Sequence, residues 1–132
     1  MTDESNLGLV LWTTDILALS HFLEAVAGMA VEARHPGFAS LRLGDTRVSL
    51  HGDEAYRGHP WYEAIAREGV ARGIGAEIRV RVADVEAAYR MALKLGGLAI
   101  EAPCEIDSAR ECQVMGPDGY VLSLWQPVEI PS

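Results

Sequence analysis

Lysine is almost missing from this chain. Lys94 is the one lysine among 11 basic residues, the arginines are scattered, and 19 acidic residues leave a formal charge of −8. With no basic run anywhere, a phosphate backbone would be repelled, which excludes nucleic acid as an expected partner. Long apolar runs are missing as well. No stretch approaches the roughly 20 apolar residues of a membrane-crossing helix. The opening "MTDESN" is acidic where a secretion signal is basic, so the expectation is a cytoplasmic chain without a membrane partner. Only two cysteines occur, Cys104 and Cys112, too few for a disulfide framework, and both read as reduced, buried structural thiols. A G-x-S-x-G elbow is absent too, so no serine carries a nucleophile signature.

What the chain does have is alternation. At 132 residues and 49% hydrophobic content it is long enough for one compact domain and too short for two ordinary ones. In "NLGLVLWTTD", Leu7, Leu9 and Leu11 fall on one face of a strand and Gly8, Val10 and Trp12 on the other. Thr14 or Asp15 then caps a helix over 16–27, where Ile16, Leu19, Phe22, Leu23 and Val26 recur at helical spacing and Gly28 supplies the stop. "MAVEAR", "FASLRL" and "TRVSLHG" follow as short strand-like runs between turn residues. The order β-α-β-β-β then returns. Ile78, Val80 and Val82 form a strand face, Asp84 caps a helix bearing Val85, Ala88, Tyr89, Ala92 and Leu95, and Gly96-Gly97 ends it. "LAIEAP", "RECQVM" and "YVLSLWQ" complete the second set.

Asp15 and Asp84 take the same capping place, and "VSLH" at 48–51 answers "LSLW" at 122–125, so Ser49 corresponds to Ser123. Duplication of one unit accounts for this most simply. The expected fold class is α+β: one domain over 1–132, with modules over 5–52 and 76–127. The linker over 53–75 is predicted to hold a short helix over 61–67 and flexible glycines at Gly69, Gly73 and Gly75. It is long enough to let the halves pair within a chain or swap between chains.

In "VADVEAAYRMALKLGG", "GPDGYVLSLWQP", "TTDILALSHFLEAVAGM" and "LRLGDTRVSL" the sequence resembles the glyoxalase, bleomycin-resistance and extradiol-dioxygenase superfamily, also called the vicinal oxygen chelate superfamily. The resemblance implies paired β-α-β-β-β modules with curved mixed sheets, helices on the convex side and a concave ligand cleft. Combined with the alternation, it turns Trp12, Ser49, His51, Glu77, Arg79, Arg81, Ser123 and Trp125 toward the cleft. It also implies four metal-ligand places, which fall on Gly8, Ser49, Glu77 and Ser123. A glycine and two neutral hydroxyls cannot supply the three or four imidazole or carboxylate donors that a divalent cation needs. No cofactor is therefore expected, although a site rearranged around His51 and Glu77 would restore two ligands.

The remaining histidines, His21, His35 and His59, read as surface residues. Arg79 and Arg81 suit a carboxylate or phosphate clamp if the register puts them in the cleft, and face solvent if it slips by one residue. Trp12 and Trp125 suit planar or cationic ligands, and Tyr56, Trp61 and Tyr62 add rings from the linker. No catalytic residue is assigned. The expectation is a non-catalytic, homodimeric binder of an aromatic or cationic small molecule, of the bleomycin-resistance type. The alternatives are a metal-dependent lyase, isomerase or dioxygenase with an altered site, and a structural dimer with a vestigial cleft.

Overall fold

A computed structural model describes residues 6–68 and 72–128; Gly69 and the residues before Asn6 lie outside it. The chain divides into two compact units, the first running to Ala71 apart from the end of one helix and the second from Arg72 onward.

In the first unit, strand β1 (Gly8–Thr13) leads into helix α1 (Ile16–Ala27), then β2 (Ala30–His35), β3 (Phe38–Leu43) and β4 (Thr46–Gly52). The helix starts where the sequence predicts: Asp15 accepts from the Ala18 N–H at 3.0 Å, and the Thr13 hydroxyl accepts from the Asp15 N–H at 3.1 Å. It stops at Gly28, whose φ of 71° is the left-handed conformation that glycine adopts without a Cβ clash. The sheet order is β1-β4-β3-β2, with β1 parallel to β4 and the other pairs antiparallel. Leu11, Ala39, Leu41, Val48 and Leu50 are buried on one face, as are Ile16, Leu19, Phe22 and Leu23 along α1. Arg34 of β2 ties that helix to the sheet edge through Ser20 at 2.9 Å and Glu24 at 3.1 Å.

The second unit repeats the pattern with β5 (Ile78–Arg81), α3 (Val85–Lys94), β6 (Leu98–Ile106), β7 (Ala109–Met115) and β8 (Val121–Pro127), in the order β5-β8-β7-β6. Asp84 caps α3 by accepting from the Ala87 N–H at 3.1 Å, and the Gln126 side chain accepts from the Val85 N–H at 2.5 Å. Two first-turn donors are thereby satisfied. Val85, Ala88 and Ala92 of α3 are buried, as are Val80, Cys112, Val114, Leu122 and Leu124 on the sheet face it covers. The edge strand β6 loses register twice against β7, between Ala99 and Glu101 and again between Glu101 and Cys104.

Between the sheets the sequence predicts one short helix, and α2 occupies Tyr62–Glu68; a 3-10 turn over Asp53–Tyr56 precedes it without having been anticipated. Gly73 is not the loose hinge expected from composition. A Cβ there would lie 2.4 Å from the Gly119 carbonyl oxygen and 2.6 Å from the Tyr120 Cα, and the neighbouring Arg72 N–H donates to the Asp118 carbonyl at 2.9 Å. Its glycine serves close approach to the 116–119 turn rather than flexibility.

The two faces of β8 differ enough to be told apart by mutation. Leu124→Ala should lower unfolding free energy by about 2–5 kcal/mol through a core cavity, whereas Trp125→Ala should cost much less. Urea denaturation of the two variants checks this, and the reverse ranking would invert the strand.

Candidate functional site

Because cross-strand partners share a face, the pairing register assembles the side chains opposite each core. In the first unit Gly8 pairs with Arg47, Val10 with Ser49 and Trp12 with His51, while Ser40 pairs with Ser49 and Phe38 with His51. Ser40 is buried and Ser49 half-buried. Glu32 draws in both Arg42, at 3.4 Å, and Arg47, at 4.0 Å.

One end of this face is aromatic. The 3-10 turn lays Tyr56 on Trp12 with ring centroids 3.6 Å apart and planes 11° from parallel, and His59 stands edge-on to Trp12 at 5.0 Å. The Tyr56 hydroxyl and His51 Nδ1 are hydrogen-bonded at 2.8 Å, and Phe38 tilts against the His51 ring at 5.7 Å. Sequence reading placed Trp12 and His51 together but treated Tyr56 as linker and His59 as surface. His59 is exposed as expected, yet it also accepts from the Trp61 N–H at 3.1 Å. Trp61 itself is 67% exposed, so it does not pin α2 to a core. Tyr62 donates to Glu54 at 3.3 Å, linking α2 back to the turn. His21 and His35 are exposed.

In the second unit the polar face is a hydrogen-bond network at one end and a cation-aromatic stack at the other. Ser123 pairs with both Arg79 and Gln113, and Trp125 with both Arg81 and Glu111. Ser123 is only 4% exposed. Its hydroxyl donates to Glu77 Oε1 at 3.2 Å and accepts from the Gln113 amide at 3.1 Å, and Gln113 also donates to the same Glu77 oxygen. Arg79 binds Glu111 at 2.9 Å, and the guanidiniums of Arg79 and Arg81 lie 5.0 and 5.5 Å from the centroid of Trp125. Gln113 and Glu111 were not singled out from sequence. Alternation along "RECQVM", carried across the register from Ser123 and Trp125, would have found both.

The thiols divide. Cys112 is buried, which pushes its pKa up to about 11. Cys104 departs from the expected buried thiol: it is half-buried and donates to Glu101 at 3.1 Å, a bond that together with partial burial holds its pKa above the ordinary range.

The metal implied by the resemblance does not fit these residues. Gly8 has no donor, Ser49 and Ser123 are neutral hydroxyls, and the Glu77 oxygen nearest Ser123 already accepts two internal hydrogen bonds. His51 Nδ1 is engaged by Tyr56, and among the described residues no three His, Cys, Asp or Glu side chains stand together as a cation would require.

No protein-family model matches the chain, and no curated protein does. Solved structures do. A glyoxalase/bleomycin resistance protein/dioxygenase family enzyme from Burkholderia phytofirmans PsJN is 24% identical, with a TM-score of 0.71 over 92% of this chain and 97% of that one. A glyoxalase/bleomycin resistance protein/dioxygenase from Nocardioides is 20% identical, with a TM-score of 0.62 over 100% of this chain and 89% of that one. A glyoxalase/bleomycin resistance protein from Albidiferax ferrireducens T118 is 15% identical, with a TM-score of 0.68 over 91% and 97%. The chain has the glyoxalase/bleomycin-resistance/dioxygenase fold, in two four-stranded mixed sheets.

Tyr56 offers a direct check on the aromatic end. Burial raises its phenol above the usual 10.0, with a hydrogen bond to Trp12 acting in the opposite direction. The native state thus holds this proton more tightly than the unfolded chain. The stability it contributes is complete below the unfolded value and is lost as pH climbs through the raised one. Tyr56→Phe should remove a late-ionising phenol from the absorbance titration at 295 nm and lessen the stability lost in alkali. An unchanged curve would mean that Tyr56 does not sit on Trp12.

Proposed function

We propose that this chain binds a small organic molecule containing an aromatic group, on the faces of its sheets opposite the apolar cores, without a metal and without covalent chemistry. One observation carries the reading: where the fold's metalloenzymes need an anionic or imidazole donor, Ser123 is buried in a closed network with Glu77 and Gln113. A cation held through the Glu77 oxygen of that network would compete with the Ser123 hydroxyl and the Gln113 amide, and the loss of the first would leave a buried hydroxyl without its acceptor. Shaped polar surfaces flanked by aromatic rings suit recognition, with rings supplying area and the fixed polar groups supplying orientation.

Elemental analysis of the purified protein should find far less than one equivalent of Mn, Fe, Ni or Zn per chain. A full equivalent that disappears on changing His51 or Glu77 to alanine would replace this reading with a metalloenzyme. A screen of planar aromatic compounds by melting temperature should yield binders, with stabilisation of roughly 2.7 kcal/mol at a hundred times the dissociation constant.

The binder is further proposed to be a homodimer. Strands β1 and β5 each have one partner within their own sheet and keep regular register along it, which leaves an edge suited to strand addition. Light scattering at micromolar concentration should return twice the chain mass; a monomer there would rule this out.

A further inference from the structure

We infer that Arg81 is the anchor for an anionic group, a carboxylate or a phosphate, carried by the aromatic ligand. The inference rests on the small-molecule reading above and specifies the chemistry of the second unit's face. Two guanidiniums share the indole of Trp125, at 5.0 and 5.5 Å from its centroid, so two positive charges face one ring. Arg79 is neutralised by Glu111 at 2.9 Å. Arg81 has no such carboxylate among the described residues, and its exposed side chain is held by the ring alone. A guanidinium lying over an indole uses its face on the ring and keeps its N–H edge for acceptors, the geometry that binds carboxylate or phosphate in bidentate fashion.

Arg81 also borders room for a ligand. Arg81 lines an open groove of about 950 Å³ with Asp84, Glu86, Arg110, Gln126 and Pro127. The other groups of that groove are already engaged: Arg110 pairs with Glu86 at 2.7 Å, Asp84 caps α3, and Gln126 accepts from the Val85 N–H. Arg81 is therefore the one cation of the groove without a carboxylate at ion-pair distance among the described residues; the Asp84 carboxylate, which lines the same groove, keeps its charge while it caps α3. The overall charge of −8 does not oppose an anion at this point. Charges beyond about 8–10 Å are largely screened at physiological salt, so the groups of the groove decide, and Arg81 is the one that offers an anion free N–H donors while Asp84 is turned to the Ala87 N–H. The same argument disfavours the cationic half of the expected ligand class here, because a cation would meet two guanidiniums on the ring it would stack on.

The test titrates the full chain with 1-naphthoate and 1-naphthyl phosphate, with the neutral 1-naphthalenemethanol and with 1-naphthylmethylammonium, reading dissociation constants by calorimetry and melting temperatures in parallel. At least one acid should bind tenfold or more tightly than the alcohol, and the ammonium compound more weakly than both. Which acid leads distinguishes a carboxylate ligand from a phosphate one. Arg81→Gln should erase the preference for the acid, bringing its affinity down to that of the alcohol in a variant that still unfolds cooperatively. Arg81→Lys should keep part of it, and Arg79→Gln should change it less than threefold. An acid that binds no better than the alcohol, or a preference that survives Arg81→Gln, overturns the anchor and leaves small-molecule binding standing. If no probe raises the melting temperature, both fall.

Discussion

The burial of Leu122 and Leu124 on the α3 side of the second sheet is the constraint from which the rest of that unit follows. Side chains on a strand alternate, so two leucines fixed inward send Ser123 and Trp125 to the other face with no further choice. The ladder then extends that decision sideways. Arg79 and Arg81 arrive beside them from β5, and Gln113 and Glu111 from β7, because pairing partners cannot lie on different faces. The polar network and the cation-aromatic stack are thus by-products of where the apolar residues had to go. The first unit obeys the same rule, with Leu11 and Leu50 inward and Trp12 and His51 outward.

This is also why so much of the fold was legible in the sequence. The bounds of α1 followed from helical spacing and one glycine, with the structure choosing Asp15 over Thr14 as the cap, and α3 starts at its expected Asp84 cap but closes at Lys94, one residue before the Leu95 read as its last apolar position. Strand faces followed from alternation, which survives wherever one face is buried. What stayed hidden depended on contacts with no local signature. Nothing in "GDEAY" announces that Tyr56 folds back onto Trp12, since a stack between an insertion and a strand is set by tertiary position. Gly73 looked like a flexible linker glycine because composition does not record that the 116–119 turn lies against it.

The candidate site was legible in part for the same reason. The residues picked from sequence do gather on the faces opposite the two cores, but their partners decide their chemistry. Glu77 alone suggests a metal ligand or a base; Glu77 with Ser123 and Gln113 is a hydrogen-bond acceptor already in use. Arg79 and Arg81 look alike in sequence, yet Glu111 makes one a structural ion pair and leaves the other with charge to spare. The difference lies 32 and 30 positions away along the chain, beyond the reach of any spacing argument.

The irregular edge of the second sheet carries a consequence for the protein at high concentration. Strand β6 leaves Leu98, Ile100 and Ile106 exposed at 64%, 48% and 42%, an apolar border that would otherwise invite other chains to add strand upon strand. Its two breaks in register prevent a flat, continuous run of unpaired N–H and C=O groups from forming there. A chain in which those bulges were straightened out could keep its core and still be lost to fibrous aggregation, so the irregularity protects solubility where composition does not.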